Sequence, residues 1–145
     1  MNPEINHQIP IYRTRFAIIQ KVVADYFQTT IEATQRHRNY RAIVEPRRYI
    51  QYFAAIKLTG CSLATIGYMS GNGRPFGHCA VIHNRNIVVR EKNFKDKAGR
   101  YVCTETVNGV HVKVTSIVAI LDDKIEKAFQ QNRETYDFAD RCAQL

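Results

Sequence analysis

Between residues 36 and 48 the sequence reads RHRNYRAIVEPRR, with five arginines and a single acid, Glu45. Guanidinium groups are planar, stay charged and present forked N–H donors, which suits them to phosphate oxygens. One of them can also enter a narrow minor groove, where the negative potential is strongest. Arg36, Arg38, Arg41, Arg47 and Arg48 are therefore candidate polyanion contacts; the plainer reading is a solvated basic loop. A second group lies in SLATIGYMSGNGRPFGHCAVIHN, Ser62 to Asn84, and just beyond it: Arg74, His78, Cys79 and Arg85. In a helix-turn-helix unit the first residues of the second helix reach base edges. Cys79 either meets a thymine methyl or fills a small gap, and both readings stay open. His78 and Asn84 are separated by about 240° around a helix, so Asn84 is expected inward, beside Val81 and Val88, with its amide satisfied by backbone. His78 and His83 are about 140° apart and cannot clamp one ion as an i, i+4 pair would. No metal site is expected.

Other chemistries find little to work with. The sequence has no G-x-x-x-x-G-K-[ST] phosphate loop. It shows no paired carboxylates and no nucleophile–base set, so neither an enzyme nor a cofactor is expected. Cys61, Cys79, Cys103 and Cys142 form no CxxC pair, which fits free thiols in a reducing cytoplasm. No apolar run is long enough to span a membrane, and the first residues do not resemble a signal peptide. The net charge is +8. Residues 1–114 carry 17 Lys/Arg against 7 Asp/Glu, whereas residues 115–145 carry 4 against 6. Such a split predicts a basic binding portion and a neutral or acidic support, with nucleic acid as the first partner to consider.

The elements that must position these residues follow from spacing. Residues 1–12 read as a loose arm. Ile19, Val22, Val23 and Tyr26 recur at i, i+3, i+4, i+7, the mark of an amphipathic helix from Arg13 to Phe27. Thr30 can cap a short helix over IEATQR. Pro46 suits the first turn of the next helix, PRRYIQYFAAIKLTG, and Gly60 its end. Ser62 caps a further helix, which the glycines of SGNGRPFG terminate. A helix from about His78 to Val89 follows. RYVCTETVNGVHVKV then reads as a small hairpin around Asn108-Gly109. It is either a wing carrying His111 and Lys113 or a cover for the core, and REKNFKDKAGR before it adds a basic run. Helical spacing returns with Ile117, Leu121, Ile125, Ala128 and Phe129, and the polar NRETYDFADRCAQL ends the chain.

The ordered series VVADYFQTTIEAT, RNYRAIVEPRRYIQYFAAIKLTGCSLATIG and HCAVIHN resembles the C-terminal DNA-binding domain of the bacterial replication initiator DnaA, a Trp-repressor-like helix-turn-helix. The likeness covers residues about 15–90. It matches the family's basic loop, its Ala-Arg-Pro-Arg-Gln helix start, its Thr-x-x-Ser-Leu-x-x-Ile-Gly segment and the His-Thr-Thr-Val-Leu-His-Ala of its recognition helix. The resemblance implies that Arg41 enters the minor groove and that Arg47 and Arg48 contact phosphates. It also implies that His78 opens the recognition helix in the major groove. The sequence departs from the family at Glu45 (Arg there), Arg48 (Gln), Gly77 (Asp), and Cys79 and Ala80 (both Thr). Its turn is about three residues longer. Much of the polar base-reading set is absent.

The sequence thus predicts a mostly α fold, a helix-turn-helix bundle of five to six helices with one small β-hairpin. Its divisions are an arm at 1–12, a DnaA-like region at 13–90, and a hairpin with a C-terminal helix at 91–145 on the same domain. The expected partner is double-stranded DNA, without an ATPase module and away from membranes; a homodimer or a replication protein would be a further partner. The rival expectation is a protein–protein interaction module that kept the fold and lost DNA reading.

Overall fold

A computed structural model of the chain describes residues 2–92, 103–107, 110–114 and 117–133, with the side chains of 2–90 and 117–133. It is mostly helical. In chain order the helices are α1 (Pro3–Tyr26), α2 (Ile31–Thr34), α3 (Arg41–Lys57), α4 (Leu63–Ser70), α5 (His78–Lys92) and α6 (Ile117–Gln131). None of the described helices is long and apolar enough to cross a membrane.

Residues 3–12 are helical, not a loose arm. Asn2 caps α1 by accepting from the Glu4 N–H at 2.8 Å, and Pro3 stands in the first turn, where its missing donor costs nothing. Tertiary contacts complete what local signals leave weak. Gln8 donates to the Gly60 carbonyl and accepts from the Ser62 N–H and the Thr65 hydroxyl, and the Tyr12 hydroxyl donates to the Thr59 carbonyl. These polar anchors have no apolar period, so the sequence pattern does not announce them.

Helix α3 begins at Arg41, five residues before the Pro46 start expected from the sequence. Pro46 sits in the second turn and is buried, where packing outweighs the one helical bond it cannot donate. The helix ends at Leu58, and Gly60 follows at φ 89°, a left-handed turn that glycine adopts freely. Thr30 and Ser62 cap α2 and α4 by accepting from Ala33 and Thr65 N–H groups, as their positions predict.

The core gathers Ile19 and Val23 of α1, Ile50 and Phe53 of α3, Ile66 of α4, Val81 and Val88 of α5, and Leu121 and Ile125 of α6. Helix α3 packs on α1, α4 and α5, α4 also packs directly on α1 and α5, and α6 packs on α1. The described core contains no strand, so the established architecture is a helical bundle. Residues 103–107 and 110–114 run antiparallel, with Cys103 opposite Val114 and Val107 opposite Val110. The Asn108-Gly109 turn, most of REKNFKDKAGR and nearly all of the terminal NRETYDFADRCAQL lie outside the described residues.

At the far end of α3, the Lys57 ammonium is 2.8 Å from Asp122 and 2.5 Å from Glu126 of α6. Burial works against its charge, yet the two carboxylates more than offset this and hold its pKa above the ordinary 10.5. A raised folded pKa contributes stability that is complete below the unfolded value and is lost as pH climbs through the folded one. Lys57→Met should therefore be less stable than the parent at pH 7, and the gap should narrow above pH 10.5. Urea unfolding of both proteins at the two pH values would show it. A gap that stays constant would mean the two ion pairs contribute nothing.

Candidate nucleic-acid interface

Two segments distant in sequence, the loop before α3 and the turn at 71–77, are fastened together by one buried side chain. Arg47 is 7% exposed. Its Nη1 donates to the carbonyls of Thr34 at 3.2 Å and Arg36 at 2.6 Å. Its guanidinium carbon lies 4.2 Å from the centroid of the Phe76 ring. The His37 ring stacks on the same Phe76, with centroids 4.0 Å apart and planes 6° off parallel. His37 Nε2 is 2.7 Å from the Arg74 carbonyl, and since a carbonyl only accepts, that nitrogen carries the proton. Burial first, and then the neighbouring Arg48, lower the Arg47 pKa.

Arg47 therefore does not stand where a phosphate contact would. Pro46, Arg47 and Ile50 all fall on the buried side of α3, so the guanidinium turns toward backbone carbonyls that need donors. Its role is to set the course of the basic loop. Helix α4 approaches this turn closely as well. The Phe76 N–H donates to the Gly67 carbonyl at 3.0 Å, and a methyl group on Gly67 would run into the Phe76 carbonyl. Only glycine permits that approach.

With the loop and turn joined, Arg36, Arg38 and Arg74 come to line one open cleft of about 640 Å³, with Gln35, His37, Asn72 and a single acid, Glu32. All three arginines are exposed. Arg41 is the first residue of α3, with 89% of its side chain exposed, and its Nε pairs with Glu45 at 3.0 Å. Arg48 is half-buried and its Nε reaches Asn84 Oδ1 at 3.4 Å. Asn84 points inward, as its angular position on α5 requires. Its partners are side chains rather than backbone, however: its amide also donates to Gln51 at 2.7 Å. His78 and Cys79 are exposed at the start of α5, with the thiol 3.5 Å from the imidazole, and Arg85 is half-buried further along. Cys61, in contrast, is a half-buried thiol whose pKa burial pushes up to about 12.

The structure thus brings Arg36, Arg38 and Arg74 together and leaves Arg41, His78 and Cys79 open to solvent. It turns Arg47 inward and divides Arg48 between solvent and Asn84. Sequence reasoning missed His37, Phe76 and Gln51. The signal for Phe76 was an aromatic residue inside a glycine-rich turn, where a large ring needs something to lie against.

Two substitutions follow. Arg47→Met leaves the Thr34 and Arg36 carbonyls without their charged donor and should cost about 2–3 kcal/mol in urea unfolding. A loss of a few tenths would mean the loop holds itself. Glu45→Gln removes the carboxylate that occupies Arg41. An exposed pair of this kind contributes about 0.2–1 kcal/mol, so affinity for a polyanion such as heparin should rise by a factor of about 1.4 to 5 at low salt. No gain would show that Arg41 does not face the ligand.

No family model matches the chain, and no solved structure matches it. Among curated proteins, it is 38% identical over 81 residues to the chromosomal replication initiator protein DnaA of Flavobacterium psychrophilum, covering 53% of this chain and 16% of that protein. It is 36% identical over 86 residues to the same-named protein of Wolbachia pipientis wMel, covering 57% of this chain and 18% of the relative. The chain thus spans less than a fifth of the length of the curated relatives it matches. Over rather more than half of its own length it is similar to DnaA, in keeping with a DnaA-like C-terminal domain.

Proposed function

We propose that the chain is a double-stranded DNA-binding protein that works in the cytoplasm without a nucleotide-hydrolysing step of its own. The observation that carries this is the convergence of Arg36, Arg38 and Arg74, from two distant segments, on one open cleft. Three exposed guanidinium groups brought together this way suit a run of phosphates. Arg41, exposed at the start of α3, would reach into the minor groove. His78 and Cys79, exposed at the start of α5, would face the major groove, with Arg85 and the outward part of Arg48 on flanking phosphates.

The relatives are named as chromosomal replication initiators, which makes replication the first process to consider, with a replication protein or a second copy of the chain as further partners. Gly77, Cys79 and Ala80 supply few polar groups to base edges, so discrimination among duplex sequences should be modest. The competing proposal, an interaction module that no longer reads DNA, draws on the same three residues and on Glu45.

Salt dependence separates the two. If four to six phosphates are neutralised, log affinity should fall against log salt with a slope of about −4 to −5. Arg74→Ala should reduce that slope by about 1, whereas Arg47→Met should weaken binding with the slope little changed. A parent slope near zero, or no binding at low salt, would favour the interaction module.

A further inference from the structure

Tyr40 is 69% exposed, one of two large apolar side chains that the described residues leave in water. It stands between Arg38 and Arg41, both exposed. It is also the residue that caps α3, yet its side chain makes no capping bond. Serine, threonine, aspartate or asparagine would cap that helix better. The position thus forgoes a cap and also leaves an aromatic ring in solvent. Its backbone is nevertheless fixed, because the Tyr40 carbonyl accepts from the N–H groups of Ile43 and Val44, both at 2.9 Å. The ring is therefore held at the start of a rigid helix rather than on a free loop.

We propose that Tyr40 is a stacking platform for an unpaired nucleobase, with the exposed Arg38 taking a phosphate beside it. This rests on the DNA-binding function proposed above. A base inside an intact duplex already has neighbours on both faces, whereas an unpaired base exposes a π face that an aromatic ring can cover. Such stacking is tolerant of sequence, which suits a surface with few polar base readers. The protein would then hold locally opened DNA more tightly than closed duplex.

The test compares a duplex carrying a central bubble of mismatched thymines with the same duplex fully paired. The parent should prefer the bubbled duplex by about tenfold. Tyr40→Ala should lose that preference and keep its affinity for the paired duplex. The chain contains no tryptophan, so Tyr40→Trp introduces a single indole whose fluorescence reports directly. It should be quenched by the bubbled duplex and not by a bubble of abasic sites. Far-ultraviolet circular dichroism would check that both variants remain folded. Equal parental affinity for the two duplexes, or an indole that the bubble leaves unquenched, would overturn the proposal for Tyr40 while leaving duplex binding intact. Failure of the parent to bind any DNA would instead overturn the function on which the proposal rests.

Discussion

Arg47 is a permanently charged group held almost entirely out of water. Such a group is tolerated only when donors and acceptors are well matched around it. Here most of the matching comes from two carbonyls of the loop before α3, which take up Nη1, and from the face of Phe76, which itself carries His37, while Nε is buried without a hydrogen-bond partner. The loop, the turn and α3 are in this way obliged to take up one relative arrangement. The cleft between loop and turn exists because that arrangement does. Arg36 shows the economy of it: its carbonyl satisfies Arg47 while its own side chain remains in solvent.

The second constraint is the seam between α3 and α5. Arg48, Asn84 and Gln51 form a short polar series between two helices that otherwise meet through Ile50, Val81 and Val88. Apolar contact alone leaves a helix free to slide or roll by small amounts, whereas a buried amide pair has one good register. Which residues α5 presents to solvent, His78 and Cys79 among them, depends on that register.

Much of the helical order was legible in the sequence because it is written in local terms. The period of Ile19, Val22, Val23 and Tyr26, the caps Thr30 and Ser62, and the inward angle of Asn84 all depend on residues close in the chain. The first turns of α1 were not legible, since Gln8 and Tyr12 find their partners some fifty residues away. Pro46 misled for a related reason: proline is usually a first-turn residue, but burial can hold it in a second turn. Arg47 is the site residue whose surroundings the sequence concealed most. An arginine beside other arginines suggests a common ligand, and nothing in its neighbourhood reveals the two carbonyls that turn it inward. The resemblance to DnaA placed the basic loop and α5 correctly in order, without distinguishing the arginine that builds the surface from those that lie on it.

Lys57 and its two carboxylate partners have an effect beyond the bundle. Helix α3 has Arg41 at one end and, some 24 Å along it by helical rise, the acids of α6 gathered around Lys57 at the other. The peptide dipoles of α3 add in the same sense, with their positive pole at Arg41. Lys57, Lys124 and Lys127 balance Asp122, Asp123 and Glu126 there, so the far end is close to neutral while the other end keeps its arginines. The bundle is therefore polarised along one axis as well as positively charged. In the field of a polyanion it experiences a torque as well as an attraction, and it arrives with its arginine end leading. Orientation is partly settled before any contact is made, so fewer encounters are wasted on the wrong face.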